Sequence, residues 1–228
     1  MGKSFPLSDD RLSRLGAASL VVGCALGAVL APVIQVTEAP WPASSTNPVA
    51  LVARATSTLA GLLLVLGLPV LAGRLGRHSP WLAVAGLVTT MISIVVYDVF
   101  KGLLNAALIP YLVAKGIDLW EDVSQAQPIG LLIMLLLGGV AQLLGGLLLG
   151  IAAFRSHAVS RLAAGLMIGS SVLFLGTSGP PDGPLKEWAD LGSTLALMAG
   201  LGLAGLELLG IQGQRAETTV TARVAART

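Results

Sequence analysis

The chain has 228 residues, of which 54% are hydrophobic and only 11% charged, with a formal net charge of +2 and a mean hydropathy of +0.83. Soluble domains carry charge on about a quarter of their residues, so this composition excludes a soluble globular fold and places the chain in a lipid bilayer. Cys24 is the only cysteine, which rules out an intrachain disulfide or a two-cysteine redox couple.

A hydrocarbon core of about 30 Å is crossed by roughly 17–25 apolar residues. Runs of that kind lie near 13–36, 49–73, 81–104, 128–153, 160–177 and 188–210. They predict an all-α bundle of six transmembrane helices filling residues 1–212, with 213–228 as a disordered cytoplasmic tail, since that segment is polar and short of bulky side chains.

The first run follows Lys3, Arg11 and Arg14 and contains small residues around Ala28 and Ala31, as a signal peptide would. Its apolar part is longer than the 7–15 residues of a secretory core, so a retained helix is expected. Gly23 and Gly27 lie four apart on it. The outer connection that follows, APWPASSTNP (39–48), is rich in turn formers and reads as an irregular loop. Arg54 then falls a little over one turn into the second run, and Pro69 should kink that helix near its far end.

The third run carries the unusual stretch IVVYDVFKGLLNAALIPYL (94–112). An ionised side chain at the centre of a membrane helix costs about 2.5–3.5 kcal/mol on insertion scales, yet this stretch holds Tyr97, Asp98, Lys101 and Asn105. Asp98 and Lys101 are three apart and Lys101 and Asn105 four apart, so with Thr90, Ser93 and Tyr97 they form one polar stripe. Such a stripe belongs against the bundle interior. At 1.5 Å per residue from Trp81, Asp98 is expected in the outer third of the membrane. Arg54 is expected at similar depth and is predicted to be its ion partner.

After the third span, DLWED (118–122) interleaves carboxylates with Ile117, Trp120 and Val123, the pattern of an amphipathic turn on the outer interface. A divalent cation held there is the sharper alternative, but a single cluster favours a solvated face. The fourth run carries Gly138, Gln142, Gly146 and Gly150 at strict fourth positions, and the sixth Gly192, Ala196, Gly200 and Ala204. Small residues let membrane helices approach closely, so these are packing seams, with homo-oligomerisation or docking of a partner subunit as the alternative use. Gln142 is expected to hydrogen-bond across the bundle. Asp190 begins the sixth span.

Ten of the fourteen basic residues (Lys3, Arg11, Arg14, Arg74, Arg77, Arg155, Arg161, Arg215, Arg223 and Arg227) fall in the tails and the two short connections on one side. That side is cytoplasmic by the excess of Lys and Arg in inner loops, so both termini are inside and the location is the cell membrane, multi-pass. Trp41, Trp81, Trp120 and Trp188 all sit at predicted span ends, as amphipathic rings do.

The site expected from these residues gathers Arg54, Tyr97, Asp98, Lys101, Asn105, Gln142 and Asp190 for substrate binding, with Asp98 and Asp190 as candidate catalytic acid/bases. Three readings follow. The first is a small membrane protein that binds or transports a small solute through an outward-facing polar pocket. The second is a membrane-embedded biosynthetic enzyme acting on a lipophilic substrate, and the third an accessory or assembly subunit. Two loop histidines, His78 and His157, cannot build an intramembrane haem or the usual zinc site, so no cofactor or metal is expected. No phosphate-cradling glycine loop is present for ATP. The expected partner is the lipid bilayer and not nucleic acid.

Overall fold

The computed structural model describes residues 9–37, 47–115, 129–178 and 184–225, and among them the secondary structure is helical with no strand. Six helices result: α1 (Asp9–Thr37), α2 (Pro48–Leu75), α3 (Pro80–Ala114), α4 (Ile129–Ser156), α5 (Arg161–Leu175) and α6 (Pro184–Ala225). Five of them are long and apolar enough to cross a membrane; α5, at 15 residues, is shorter and is followed by a turn of 3₁₀ helix at Gly176–Ser178. At 1.5 Å per residue α5 is about 22 Å long, below the thickness of a hydrocarbon core. Among the described residues the length rule therefore supports five spans, one fewer than the apolar runs predict.

Each helix packs against its neighbours in sequence, and α6 closes back on α1, so the bundle is a ring in chain order. Successive helices are antiparallel. Gly16 lies beside Val70 while Gly23 lies beside Ala60, and Gly86 meets Leu149 while Gly138 meets Val96. The innermost side chains are Leu20, Leu64, Leu68, Leu71, Leu149, Met167 and Leu201, all shut off from solvent.

Helix ends are fixed by local chemistry. Asn47 caps α2, its side-chain oxygen accepting from the Val49 N–H at 3.0 Å, with Pro48 in the first turn, where a missing N–H costs nothing. The connection from α4 to α5 is tight enough to put His157 at φ 49°. Ser160 then caps α5 by accepting from the Ala163 N–H at 3.2 Å, and Glu207 of α6 accepts from the Ser160 N–H at 2.7 Å. The short helix is thus tied to α6 at this end. Pro32 and Pro69 are accommodated inside α1 and α2.

The glycine seams divide between partners. On α4, Gly138 approaches α3 at Val96 and Tyr97, whereas Gly146 and Gly150 approach α5 at Met167 and Ala164. On α6, Gly200 lies where an added Cβ would be 3.0 Å from the Ala163 carbonyl and 3.0 Å from Met167 Cγ, while one at Gly192 would meet only Leu173 at 3.6 Å. From sequence alone Gly200→Ala looks tolerable; at this spacing the neighbour must give by a few tenths of an ångström. Gly200→Ala should lower the melting temperature in detergent slightly, and Gly200→Leu should cost about 1–3 kcal/mol through overpacking. An unchanged melting temperature in the leucine variant would contradict this packing.

Residues 38–46, the DLWED cluster, residues 179–183 and residues 226–228 lie outside the described residues, as do the side chains beyond Gly210; the backbone of 213–225, expected as a tail, belongs to α6.

Candidate functional site

The site is organised by an irregularity in α3. Between two α-helical stretches the backbone widens to a π-helix at Val95–Phe100, returns to α at Lys101–Leu103, and widens again at Leu104–Leu108. The Lys101 N–H accordingly reaches back five residues to the Val96 carbonyl, and that of Ile109 to Leu104. The second segment has a local cause: Pro110 donates no N–H, and its ring would crowd the carbonyl of Ala106 in a regular α-helix. No residue type marks the first. It coincides with the densest polar stretch of the helix, and π-bulges recur at functional sites.

Asp98 lies in the first π segment. Opposite it stands Gly61, at the midpoint of α2, where an added Cβ would be only 2.8 Å from that of Asp98. Asp98 thus stands level with the middle of α2, and α3 continues beyond the expected 81–104 to Ala114. Thr58, buried on α2, ties the two helices at this level: its hydroxyl lies 3.1 Å from the Arg54 carbonyl and 3.4 Å from the Asp98 carbonyl. Lys101, on the next turn of α3, is within Coulombic range of the Asp98 carboxylate.

A cavity of about 390 Å³ opens between α1, α2, α3 and α6. From α2 it is lined by Arg54 and Ser57, and from α3 by Tyr97, Asp98, Lys101, Gly102 and Asn105. From α6 come Glu187, Asp190, Leu191, Thr194 and Met198, and from α1 Gly27, Ala31, Ile34 and Gln35. Arg54 is only 8% exposed and Asp98 half-buried, whereas Lys101, Glu187 and Asp190 are exposed. Gln35 donates to the Glu187 carbonyl at 3.3 Å, holding α1 to the start of α6. Asp190 lies within Coulombic range of Tyr97, whose hydroxyl donates to the Leu135 carbonyl of α4 at 3.1 Å.

Six of the seven residues expected to bind substrate thus line one cavity. The seventh, Gln142, lies outside it, accepting a hydrogen bond from Ser93 of α3. This is the interhelical bond expected of a mid-span amide. The polar stripe of α3 accordingly divides. Ser93 and Thr90 face α4, with Thr90 packed on Gly145, while Asp98, Lys101 and Asn105 face the cavity. At 3.6 residues per turn Ser93 and Asp98 already stand about 140° apart, so one wide polar face meets two neighbours.

Gln35, Ser57, Glu187 and Thr194 complete the lining and do not stand out in the sequence. Among the described residues no three His, Cys, Asp or Glu side chains draw together as a metal-ligand set. The arrangement offers hydrogen-bonding and ionic partners of both signs on one side and an apolar wall on the other. No protein family, curated protein or solved structure matches the chain.

Proposed function

We propose that the chain is a multi-pass protein of the cell membrane with six transmembrane helices and both termini cytoplasmic, whose outward-facing cavity binds or transports a small polar solute. The observation that carries this reading is the convergence of charged groups from α2, α3 and α6 on one cavity of about 390 Å³. Charge inside a membrane is expensive, and where it occurs it marks substrate or ion pathways more often than not. The cavity's volume falls within the roughly 300–1,000 Å³ of small-molecule clefts, and its lining is more polar than is usual for them.

The orientation rests on Arg74, Arg77, Arg155 and Arg161, which cluster at the end of the ring opposite the cavity. Trp81 and Trp188, 85% and 69% exposed, stand near opposite ends of the bundle, as interfacial anchors do. In this reading α5 crosses a bilayer locally thinned to match its length, an adjustment that costs fractions of a kcal/mol per Å.

The cavity reading is tested in a Cys24→Ser background carrying Ser57→Cys or Thr194→Cys. In detergent both cysteines should react with a small charged methanethiosulfonate and be shielded from a maleimide on a long polymer. No reaction with the small reagent would mean that the cavity is closed to water, and the binding reading would fall.

A further inference from the structure

The sign of the charges around the cavity narrows what it takes. Carboxylates and cations are interleaved: Arg54 and Lys101 stand on α2 and α3, Glu187 and Asp190 on α6, and Asp98 beside Lys101. In the ring α1 lies between α2 and α6, and its Gly27, Ala31 and Ile34 add an apolar wall between Arg54 on one helix and Glu187 and Asp190 on the other. We infer that the solute is a small zwitterion, an amine and a carboxylate carried on a short apolar body; this presupposes that the cavity is a binding site.

A simple anion would meet three carboxylates here, and a simple cation would meet a guanidinium and an ammonium, each repelled at short range. A dipolar solute meets attraction at both ends. Its carboxylate has a matching partner in Arg54, whose planar fork binds carboxylates through two parallel hydrogen bonds and is already held in place by burial. Its ammonium is served by Asp190, since a carboxylate attracts a cation at short range, and Tyr97 lines the same cavity.

Neither Arg54 nor Asp190 needs to be unpartnered for this. A guanidinium has five N–H donors and a carboxylate about four acceptor positions, so a ligand can join contacts that already exist. The aliphatic body then lies against Ala31, Ile34, Leu191 and Met198. Dividing the cavity volume by about 30 Å³ per water gives room for roughly a dozen waters, ample for a solute of about ten non-hydrogen atoms.

The test uses the purified full chain in detergent and follows its melting temperature. Leucine carries both charges, 3-methylbutylamine the same body with the amine alone, and 4-methylpentanoate with the carboxylate alone; glycine, alanine and valine extend the zwitterion set. At equal concentration the aliphatic zwitterions should raise the melting temperature and the single-charge analogues should not. Arg54→Lys, which keeps the charge but loses the fork, should weaken the apparent affinity at least about tenfold, one hydrogen-bonded contact's worth. Asp190→Asn should do the same.

An equal rise with the amine or the acid alone overturns the zwitterion, as does a rise that survives both variants. So does the absence of any rise with all four zwitterions. If Ser57→Cys and Thr194→Cys still react with the small thiol reagent in that case, the cavity reading stands and only the ligand class falls. If they do not react, both fall together.

Discussion

Asp98→Asn and Arg54→Gln should each destabilise the protein in detergent, and the double variant should recover part of the loss. The two residues come from adjacent helices and line the same cavity, and Arg54 is buried. Neutralising one member of a buried pair leaves the other charge without compensation, at a typical cost of roughly 3–5 kcal/mol. Asp98 is only half-buried, so the lower end of that range is expected. A favourable coupling energy in the double-mutant cycle identifies the two as partners. Additive losses would show that they do not meet, leaving Lys101, within Coulombic range on the same helix, as the counter-charge of Asp98. Activity then separates structure from function: a folded double variant that no longer binds solute assigns the pair to the site.

Gly61→Leu should be strongly disruptive in α2. The Cβ alone would come within 2.8 Å of the Asp98 Cβ and 3.4 Å of Ile94 and Val99, so a leucine must push α3 away from α2. That displacement would break the Thr58 link to the Asp98 carbonyl and carry the π segment out of register with the cavity. Overpacking of this kind costs about 1–3 kcal/mol and sometimes more. Gly73→Leu is the internal control, because nothing lies within 4 Å of a Cβ there. Urea titration in mild detergent should show a large loss at position 61 and almost none at 73. Equal midpoints for the two variants would contradict the close contact between α2 and α3.

The sequence reads well where a single periodicity governs a long segment. The apolar runs of α1, α2, α4 and α6 announce themselves, and the fourfold spacing on α4 and α6 points to close helix approach before any neighbour is known. It reads less well where the backbone departs from one period. Nothing in VVYDVF marks a π-helix, and the stripe drawn from Thr90 to Asn105 is wide enough to face two neighbours, since at 3.6 residues per turn Ser93 and Asp98 already stand about 140° apart.

Lys101 and Asn105 also look like the end of a span, which hid the continuation of α3 to Ala114. Gln35, Glu187 and Thr194 were illegible for another reason. Polar residues near a span end are ordinary, and only the closure of α6 against α1 brings these to the same cavity as Asp98. The grouping of Arg54, Lys101, Asn105 and Asp190 was legible because charge inside an apolar run is costly enough to demand a shared destination.

The most direct test of an outward-open polar cavity is the sidedness of single cysteines in intact cells, again in a Cys24→Ser background. Suitable positions are Ser57 and Thr194 in the cavity, exposed Lys115 at the cavity end of α3, and exposed His78 at the opposite end. Ser156 is unsuitable, because at 4% exposure a cysteine there would be silent from either side. A small membrane-impermeant thiol reagent applied outside should modify Ser57→Cys, Thr194→Cys and Lys115→Cys, and should reach His78→Cys only after the membrane is permeabilised. External modification of His78→Cys, with the cavity positions reacting only after permeabilisation, would contradict the account by turning the cavity toward the cytoplasm.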